Sequence, residues 1–196
     1  MPTPRVGLVD YGMGNLHSVS RALETTGVEP ALIESADRFD GVDLLVLPGV
    51  GHFGEAMKRL DEKRLSDPLR AWLAAGKPFL GICLGMQLLF ESSEEALDVR
   101  GLGRFAGTVK RFPAEIEGKK LVVPAIGWNR VEPTPAGRQL FPDGGGEYFY
   151  FVHSYYVAPA DGAVVAATSE YGLCYACALA APNLTATQFH PEKSGE

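Results

Sequence analysis

Short apolar runs alternate with amphipathic stretches through the first half of the chain. Four runs are apolar enough to predict buried strands: 5–10, 29–33, 43–47 and 79–82. Three stretches between or after them carry the spacing of helices: 16–23, 66–75 and 84–90. Leu16, Val19 and Leu23 share one helical face, with Asn15 as the predicted N-cap. This alternation is typical of a parallel sheet covered by helices on both faces.

The second half of the chain has a different pattern, in which strand-like runs are separated by turns. The predicted strands are 122–124, 127–131, 148–157, 163–168, 173–179 and 184–189. The segment 133–146 is rich in proline and glycine, which predicts a surface excursion. We therefore expect one α/β domain over residues 1–196. Its central, largely parallel sheet is flanked by helices, and its C-terminal half adds antiparallel or mixed strands.

Composition and charge exclude several classes of protein. Of the 196 residues, 46% are hydrophobic and 21% charged, which is the balance of a globular protein. The net charge of −6 argues against nucleic acid as a partner. No apolar run has the length of a membrane span, and the first residues lack the layout of a signal peptide. Three cysteines cannot all pair internally, so we expect a reducing compartment, the cytoplasm.

Cys83 lies in the most distinctive local pattern, Gly-Ile-Cys-Leu-Gly at 81–85. The pattern joins an apolar run to a helix-like stretch, which is the setting of a nucleophile elbow, a sharp turn that exposes a reactive side chain. Glycines two positions to either side let the backbone crowd there without Cβ clashes. The N-terminus of the predicted helix would favour the thiolate. The alternative is a small buried apolar side chain, which describes most isolated cysteines.

Among the four histidines, His190 has a carboxylate placed to orient it. In the segment 188–192, Gln-Phe-His-Pro-Glu, an extended backbone puts His190 and Glu192 on one side, and Pro191 favours that backbone shape. Glu192 would fix the imidazole tautomer and leave the other ring nitrogen for Cys83. The alternative is a histidine at a strand end, followed by a solvated glutamate.

Acyl transfer also needs two donors for an oxyanion. The N–H of Leu84, which follows the nucleophile, is one candidate. The other comes from Gly49-Val50-Gly51, a turn at the carboxyl end of a predicted parallel strand, where α/β proteins bind ligands. The alternative for that turn is a simple strand terminator.

Three further sequence patterns are weaker indications of a functional site. The segment 12–17 begins like a dinucleotide-binding fingerprint, but His17 stands where the third glycine belongs. Cys174 and Cys177 have the spacing of half a zinc site or a redox pair, but residues three apart in a strand point to opposite faces. On charge alone, the acidic residues within 91–95 predict a solvated loop.

The motifs at 81–87 and 188–192 closely resemble those of the class I, or triad, glutamine amidotransferases. Within that superfamily, the segments 123–129 and 148–155 resemble those of the glutaminase subunits of imidazole glycerol phosphate synthases, as do 12–15 and 48–51. The resemblance implies that Cys83 attacks the side-chain amide of glutamine with help from His190 and Glu192. It also implies that Val50 and Leu84 provide the oxyanion donors, Val50 after its peptide reorients. The positions that hold glutamine are implied to be Gly51, Gln87, Glu95, Ser154 and Tyr155.

The resemblance further implies a partner and no cofactor. The expected partner is a cyclase subunit of the (β/α)₈ type, which uses the released ammonia to make imidazole glycerol phosphate and an aminoimidazole carboxamide ribotide in histidine biosynthesis. Four positions match the interface with that subunit in a heterodimer: Asn15, Trp128, Tyr150 and Lys193. Relatives continue into a final helix beyond Lys193-Ser-Gly, whereas this sequence stops at Glu196. Two alternatives stay open: the sequence is cut at this point, or the usual final helix is absent.

Three other functions stay open at this point. A stand-alone cysteine hydrolase or peptidase would be fully active without a partner. A silent scaffold would bind a synthase without chemistry, although it would have no need of Cys83, His190 and Glu192 together. A metal-binding or redox protein would use Cys174 and Cys177 and should contain bound metal.

Overall fold

The computed structural model describes residues 4–142, 144 and 146–195. The helices are α1 Leu16–Thr25, α2 Phe53–Glu62, α3 Ser66–Ala74 and α4 Leu84–Gln87. The strands of the first half are β1 Val6–Val9, β2 Ala31–Ile33, β3 Leu44–Gly49, β4 Phe79–Cys83 and β5 Phe90–Ser93. Those of the second half are β6 Phe105–Arg111, β7 Glu115–Ile116, β8 Lys119–Lys120, β9 Ala125–Arg130, β10 Glu132–Pro133, β11 Tyr148–His153, β12 Tyr155–Pro159, β13 Val165–Tyr171, β14 Leu173–Ala181 and β15 Leu184–Thr187. Short 3₁₀ turns span Ala36–Phe39, Pro135–Gly137, Gly162–Val164 and Pro191–Lys193.

One large sheet organises the described residues. Its order is β2-β1-β3-β4-β15-β14-β12-β6-β5, with β13 pairing β14 and β10. The four successive pairings from β2 to β15 are parallel, and so is the pairing of β5 with β6. The pairings made by β14, β12 and β13 are antiparallel. The expected fold class, a parallel centre with antiparallel strands in the C-terminal half, is confirmed.

Continuous burial of the central strands explains their apolar sequences. Along β3, Leu45 and Leu47 pack into the cluster that holds the buried side chains of α2 and α3. Val46 points the other way, into the cluster that receives Val19 of α1. The parallel half of the sheet is therefore covered on both faces, as its apolar strands require. Asn15 caps α1 as expected, since its side-chain oxygen accepts a hydrogen bond from the Ser18 N–H at 3.3 Å.

Three local predictions need correction, and several elements were missed. The helix expected over 84–90 is the four-residue α4, because Phe90 already begins β5 in parallel pairing with β6. The strand expected over 122–124 is irregular, and β9 begins at Ala125. The strand expected over 148–157 is broken at Ser154 into β11 and β12, which join different sheets. The elements that had not been predicted are α2, β5, β6, β7, β8 and β10.

The proline- and glycine-rich segment 133–146 is more firmly anchored than a surface excursion, although residues 143 and 145 lie outside the described residues. Gly137 is buried, and a Cβ there would overlap the carbonyl oxygen of Ala166. Thr134 donates its hydroxyl hydrogen to the Val165 carbonyl oxygen. The segment is therefore tied to the edge of β13.

Across residues 4–142, 144 and 146–195, no helix has the length and apolarity needed to cross a membrane.

Candidate functional site

Cys83 occupies a strained turn at the end of β4. Its φ is +54° and its ψ −109°, a conformation that costs a non-glycine residue about 1–3 kcal/mol. A Cβ at Gly85 would overlap the carbonyl oxygen of Leu47, and one at Gly81 would lie 3.0 Å from the carbonyl oxygen of Gly85. These contacts explain the glycines on either side of Cys83. Because α4 has four residues, its dipole is a weaker source of thiolate stabilisation than the sequence suggested.

The histidine and the glutamate come from the neighbouring strand. β15 pairs in parallel with β4, so the two strands end at the same edge of the sheet. His190 follows β15 in an extended conformation, with φ −100° and ψ 91°. Its N–H donates to the Tyr150 carbonyl oxygen at 3.0 Å, and its own carbonyl accepts from the Ser194 hydroxyl at 2.6 Å. The topology thus brings His190 to Cys83 from the far end of the sequence.

Glu192 lies in hydrogen-bond contact with His190. The Nδ1 atom of His190 lies 2.8 Å from Oε1 of Glu192, and each side chain is 2% exposed. The Nε2 atom makes no hydrogen bond to any described residue, which leaves it free for the proton of Cys83. Catalytic hydrogen bonds of this kind often tighten when substrate binds. The His190–Glu192 pair therefore has the geometry that a base and its orienting carboxylate would need.

The charge state of His190 follows from competing effects. Burial by itself lowers its pKa, but the interactions with Cys83 and then with Glu192 outweigh burial and raise the pKa to about 9. An imidazolium is therefore favoured at His190 at neutral pH. A positive charge at this position is placed to stabilise a thiolate as the nucleophile.

A cavity of about 240 Å³ opens onto Cys83. It is lined by all seven residues expected to bind substrate or oxyanion: Val50, Gly51, Leu84, Gln87, Glu95, Ser154 and Tyr155. Pro124, Val152 and His153 complete the lining and had not been assigned to the site. The cavity thus lies at the carboxyl ends of parallel strands, where ligands bind in α/β sheets.

The proposed oxyanion turn lies directly beside the nucleophile. Gly49, the last residue of β3, is in register with Cys83, and Val50 and Gly51 follow it into the cavity wall. A Cβ on Gly49 would overlap the hydroxyl of Tyr11, so a side chain cannot be accommodated there. The glycine therefore lets the backbone of this turn pass close to Tyr11 and to the first residues of α4.

Glu95 is fixed by its neighbours rather than solvated. Its Oε2 atom accepts a hydrogen bond from the Phe53 N–H at 2.6 Å, at the first residue of α2. The Glu95 N–H in turn donates to the Ser93 hydroxyl at 3.1 Å. The expectation of a solvated loop, drawn from charge alone, was wrong for this residue. Glu95 brings a negative charge to the cavity wall, where a substrate ammonium group could pair with it.

Two buried polar residues near Cys83 were missed. Gln188 is fully buried, and its Nε2 atom lies 3.6 Å from the Cys83 sulfur. His153 is buried among aromatic rings, and burial, together with the nearby charge of His190, lowers its pKa to about 4. His190 and Gln188 are two apart in an extended segment, so their shared side was readable from the sequence.

The residues expected at a partner interface divide into two groups. Trp128 on β9 and Tyr150 on β11 are opposite each other, with ring centroids 6.2 Å apart, and Trp128 is 51% exposed. The Lys193 ammonium lies 6.0 Å from the Tyr150 ring. Asn15 has a local role as the cap of α1. The β9–β11 face also exposes Ile126 and Tyr148, forming an apolar surface next to the cavity.

The two remaining cysteines do not form a site. Cys174 is exposed and Cys177 buried, both as free thiols on β14. Within the part of the chain that the structure describes, no cluster of three or more His, Cys, Asp or Glu residues is arranged to hold a metal ion. Burial also raises the pKa of Cys177, so that thiol is protonated at neutral pH.

A family model, two related sequences and a solved structure all match nearly the whole of this chain. The family model for class I glutamine amidotransferases matches residues 7–196. Imidazole glycerol phosphate synthase subunit HisH of Rhodopirellula baltica is 47% identical over 189 residues, which cover 96% of this chain and 90% of that protein. The protein of the same name from Thermosynechococcus vestitus is 47% identical over 197 residues, covering 100% and 92%. The crystal structure of a glutamine amidotransferase has the same fold, with a TM-score of 0.73 at 20% identity, covering 95% of this chain and 90% of that one.

Proposed function

Because the chain belongs to the class I glutamine amidotransferase family, we propose that it hydrolyses glutamine to glutamate and ammonia with a Cys83–His190–Glu192 triad. The observation that carries the proposal is the buried His190–Glu192 pair, 2.8 Å apart, at the strand end next to the strained Cys83 turn. Both oxyanion candidates and all five substrate-binding candidates line the cavity that opens there.

The chemistry proceeds through a thioester. The Cys83 thiolate attacks the amide carbon of glutamine, and the negative charge that develops on oxygen is stabilised by the N–H groups of Val50 and Leu84. His190 donates its Nε2 proton to the departing nitrogen, and ammonia leaves as the C–N bond breaks. A water molecule then gives a proton to Nε2 of His190 and attacks the thioester, which releases glutamate and regenerates the thiolate.

Substrate selection follows from the polar groups on the cavity wall. The Glu95 carboxylate pairs with the ammonium group of glutamine, since its position is fixed by the Phe53 N–H. Gly51, Gln87, Ser154 and Tyr155 contribute the remaining contacts around the substrate. The reaction needs no metal or cofactor, because a thiolate, an imidazolium and amide donors provide the nucleophile, the proton and the oxyanion stabilisation.

The proposal extends to a partner, because the relatives named above are synthase subunits. Ammonia released into neutral water would be protonated and would lose its nucleophilicity, so direct transfer to a second active site avoids that loss. We assign this role to a (β/α)₈ cyclase subunit that makes imidazole glycerol phosphate and aminoimidazole carboxamide ribotide. The exposed face around Trp128, Tyr150 and Lys193 is the proposed contact, with Asn15 at its margin. A nucleophilic thiol must also stay reduced, which fits the cytoplasm.

The test is glutamate release from glutamine by this chain alone, and then with the cyclase subunit and its ribotide ligand. We expect low activity alone and strong activation in the complex. Full activity without the partner would instead identify an independent hydrolase. Absence of glutamate release under both conditions would overturn the proposed chemistry.

A further inference from the structure

A chain of buried hydrogen bonds ends at the sulfur of Cys83. Tyr175 and Nε2 of His153 are 3.3 Å apart, and Nδ1 of His153 lies 2.8 Å from the Tyr155 carbonyl oxygen. The same carbonyl accepts from Nε2 of Gln87 at 3.2 Å. Nε2 of Gln87 also donates to Oε1 of Gln188 at 3.0 Å, and Nε2 of Gln188 lies 3.6 Å from the Cys83 sulfur.

The chemistry of these groups fixes the direction of every bond. A backbone carbonyl can only accept, so His153 carries its proton on Nδ1 and Gln87 presents its NH₂ group to Tyr155. With Nδ1 protonated, Nε2 of a neutral His153 must accept from the Tyr175 hydroxyl. The low pKa of His153, about 4, keeps the ring neutral at physiological pH.

The orientation of the last amide follows in turn. Because the Gln87 NH₂ group donates to Gln188, the oxygen of Gln188 is the acceptor, and its NH₂ group must face Cys83. The backbone holds the residue in place, since the Gln188 N–H donates to the Cys177 carbonyl oxygen at 2.8 Å. Gln188 is 0% exposed and is not part of the cavity wall, so it has no access to substrate.

We propose that Gln188 is a positioning residue for the nucleophile: its fixed amide N–H donates to the Cys83 sulfur and holds the thiolate toward the cavity. The inference rests on the proposed function. An amide suits this place because it stabilises a negative sulfur yet cannot remove its proton, which leaves His190 as the base. Gln188 and His190 reach Cys83 from the same side of one extended segment, while Phe189 between them packs in the aromatic cluster with Phe149 and Phe151.

Two substitutions separate this role from a merely structural one. Gln188→Glu keeps an oxygen to accept from Gln87 and loses the donor to sulfur. Gln188→Met keeps the length of the side chain and loses both groups. A Cys174→Ser background removes the exposed thiol, so that alkylation by iodoacetamide reports on Cys83. Thr187→Val is the matched control, since it removes a buried hydrogen bond to the Phe189 carbonyl in the same segment.

The expected results concern reactivity rather than substrate affinity. Both Gln188 variants should lower the alkylation rate at pH 7 and kcat for glutamine by about tenfold, with KM within about twofold of wild type. The pH at which alkylation reaches half its maximum should rise by about one unit. Thr187→Val should leave the alkylation profile unchanged. A Gln188→Glu variant that reacts like wild type would show that Gln188 merely supports Gln87, and a change confined to KM would also overturn the proposal.

A measurement without Gln188 variants covers the case in which both fail to fold. The side-chain amide resonances of Gln188 in ¹⁵N-labelled protein should shift as Cys83 ionises, and this pH dependence should vanish in Cys83→Ala. An amide signal that does not respond to Cys83 would refute the contact. Failure of the proposed function is distinguishable, because wild type would then release no glutamate with or without the cyclase subunit.

Discussion

Replacing Glu192 by glutamine keeps the shape of the buried His190–Glu192 pair and removes its negative charge. The two side chains are 2.8 Å apart and each is 2% exposed, so water cannot replace the lost interaction. A hydrogen bond to a charged group contributes about 1.5–3 kcal/mol. If that stabilisation is lost from the transition state, kcat should fall by about 10- to 150-fold, since about 1.4 kcal/mol corresponds to a factor of ten.

The loss should remain smaller than that of His190→Ala. In Glu192→Gln, the new amide oxygen can still accept from Nδ1–H, so Nε2 remains available for the Cys83 proton. The amide NH₂ group takes the place of Oε2, an atom with no hydrogen-bond partner among the described residues, so the variant gains a buried donor that must find an acceptor. His190→Ala, in contrast, removes the base itself.

The assay is steady-state glutamate release at pH 7 with the cyclase subunit present, comparing Glu192→Gln, His190→Ala and wild type. A ¹H NMR titration of His190 should show its pKa falling from about 9, because one of the interactions that raise it is lost. Equal losses of kcat in the two variants would refute the division of roles between base and orienting carboxylate. Wild-type activity in Glu192→Gln would refute the participation of Glu192 altogether.

Three other predictions test the fold and the surface. Gly85→Ala should lower the unfolding free energy, measured by urea denaturation, by about 3 kcal/mol or more, because its Cβ would overlap the Leu47 carbonyl oxygen. Gly162→Ala, which has open space around the new Cβ, should change the unfolding free energy by less than about 0.5 kcal/mol. Equal effects of the two substitutions would contradict the crowded turn. Between pH 6.5 and about 4, the unfolded chain binds a proton at His153 and the folded chain does not. The unfolding free energy should therefore fall on acidification, by about 3 kcal/mol at pH 4. A His153→Phe variant with the same pH dependence as wild type would contradict this. Trp128→Ala should weaken activation by the cyclase subunit, and unchanged activation would remove Trp128 from the interface.

Much of the site could be predicted from the sequence because its chemistry is encoded locally. The glycines around Cys83 indicate a crowded turn, and their contacts with Leu47 and with each other explain why. The spacing of His190 and Glu192 predicts their shared side, and the 2.8 Å contact confirms it. The strand-helix alternation further predicts that strand ends meet at one edge, which is where Cys83 and His190 approach each other.

The errors arose where tertiary contacts decide local structure. Residues 84–90 have helical spacing, but Phe90 pairs with Phe105 in a sheet and ends the helix at Gln87. The strand at 148–157 reads as continuous, although Ser154 is the point at which the chain passes from one sheet to another. Pairing partners far along the chain leave no trace in the local pattern of apolar residues.

The role of Gln188 could not be read from the sequence for the same reason. Its amide is oriented by Gln87, and Gln87 by the Tyr155 carbonyl, so its direction depends on three separate segments of the chain. Charge alone likewise misplaced Glu95, because its hydrogen bond to the Phe53 N–H belongs to α2, a helix that was not predicted. Buried polar networks follow from the complete fold.

The most direct test of the central claim is active-site labelling with a glutamine analogue that carries an alkylating ketone, followed by mass spectrometry of the digested protein. The account predicts one equivalent of label on the peptide containing Cys83, protection by glutamine, and parallel loss of glutamate release. Label on the exposed Cys174 with activity retained, or glutamate release that persists in Cys83→Ala, would contradict it.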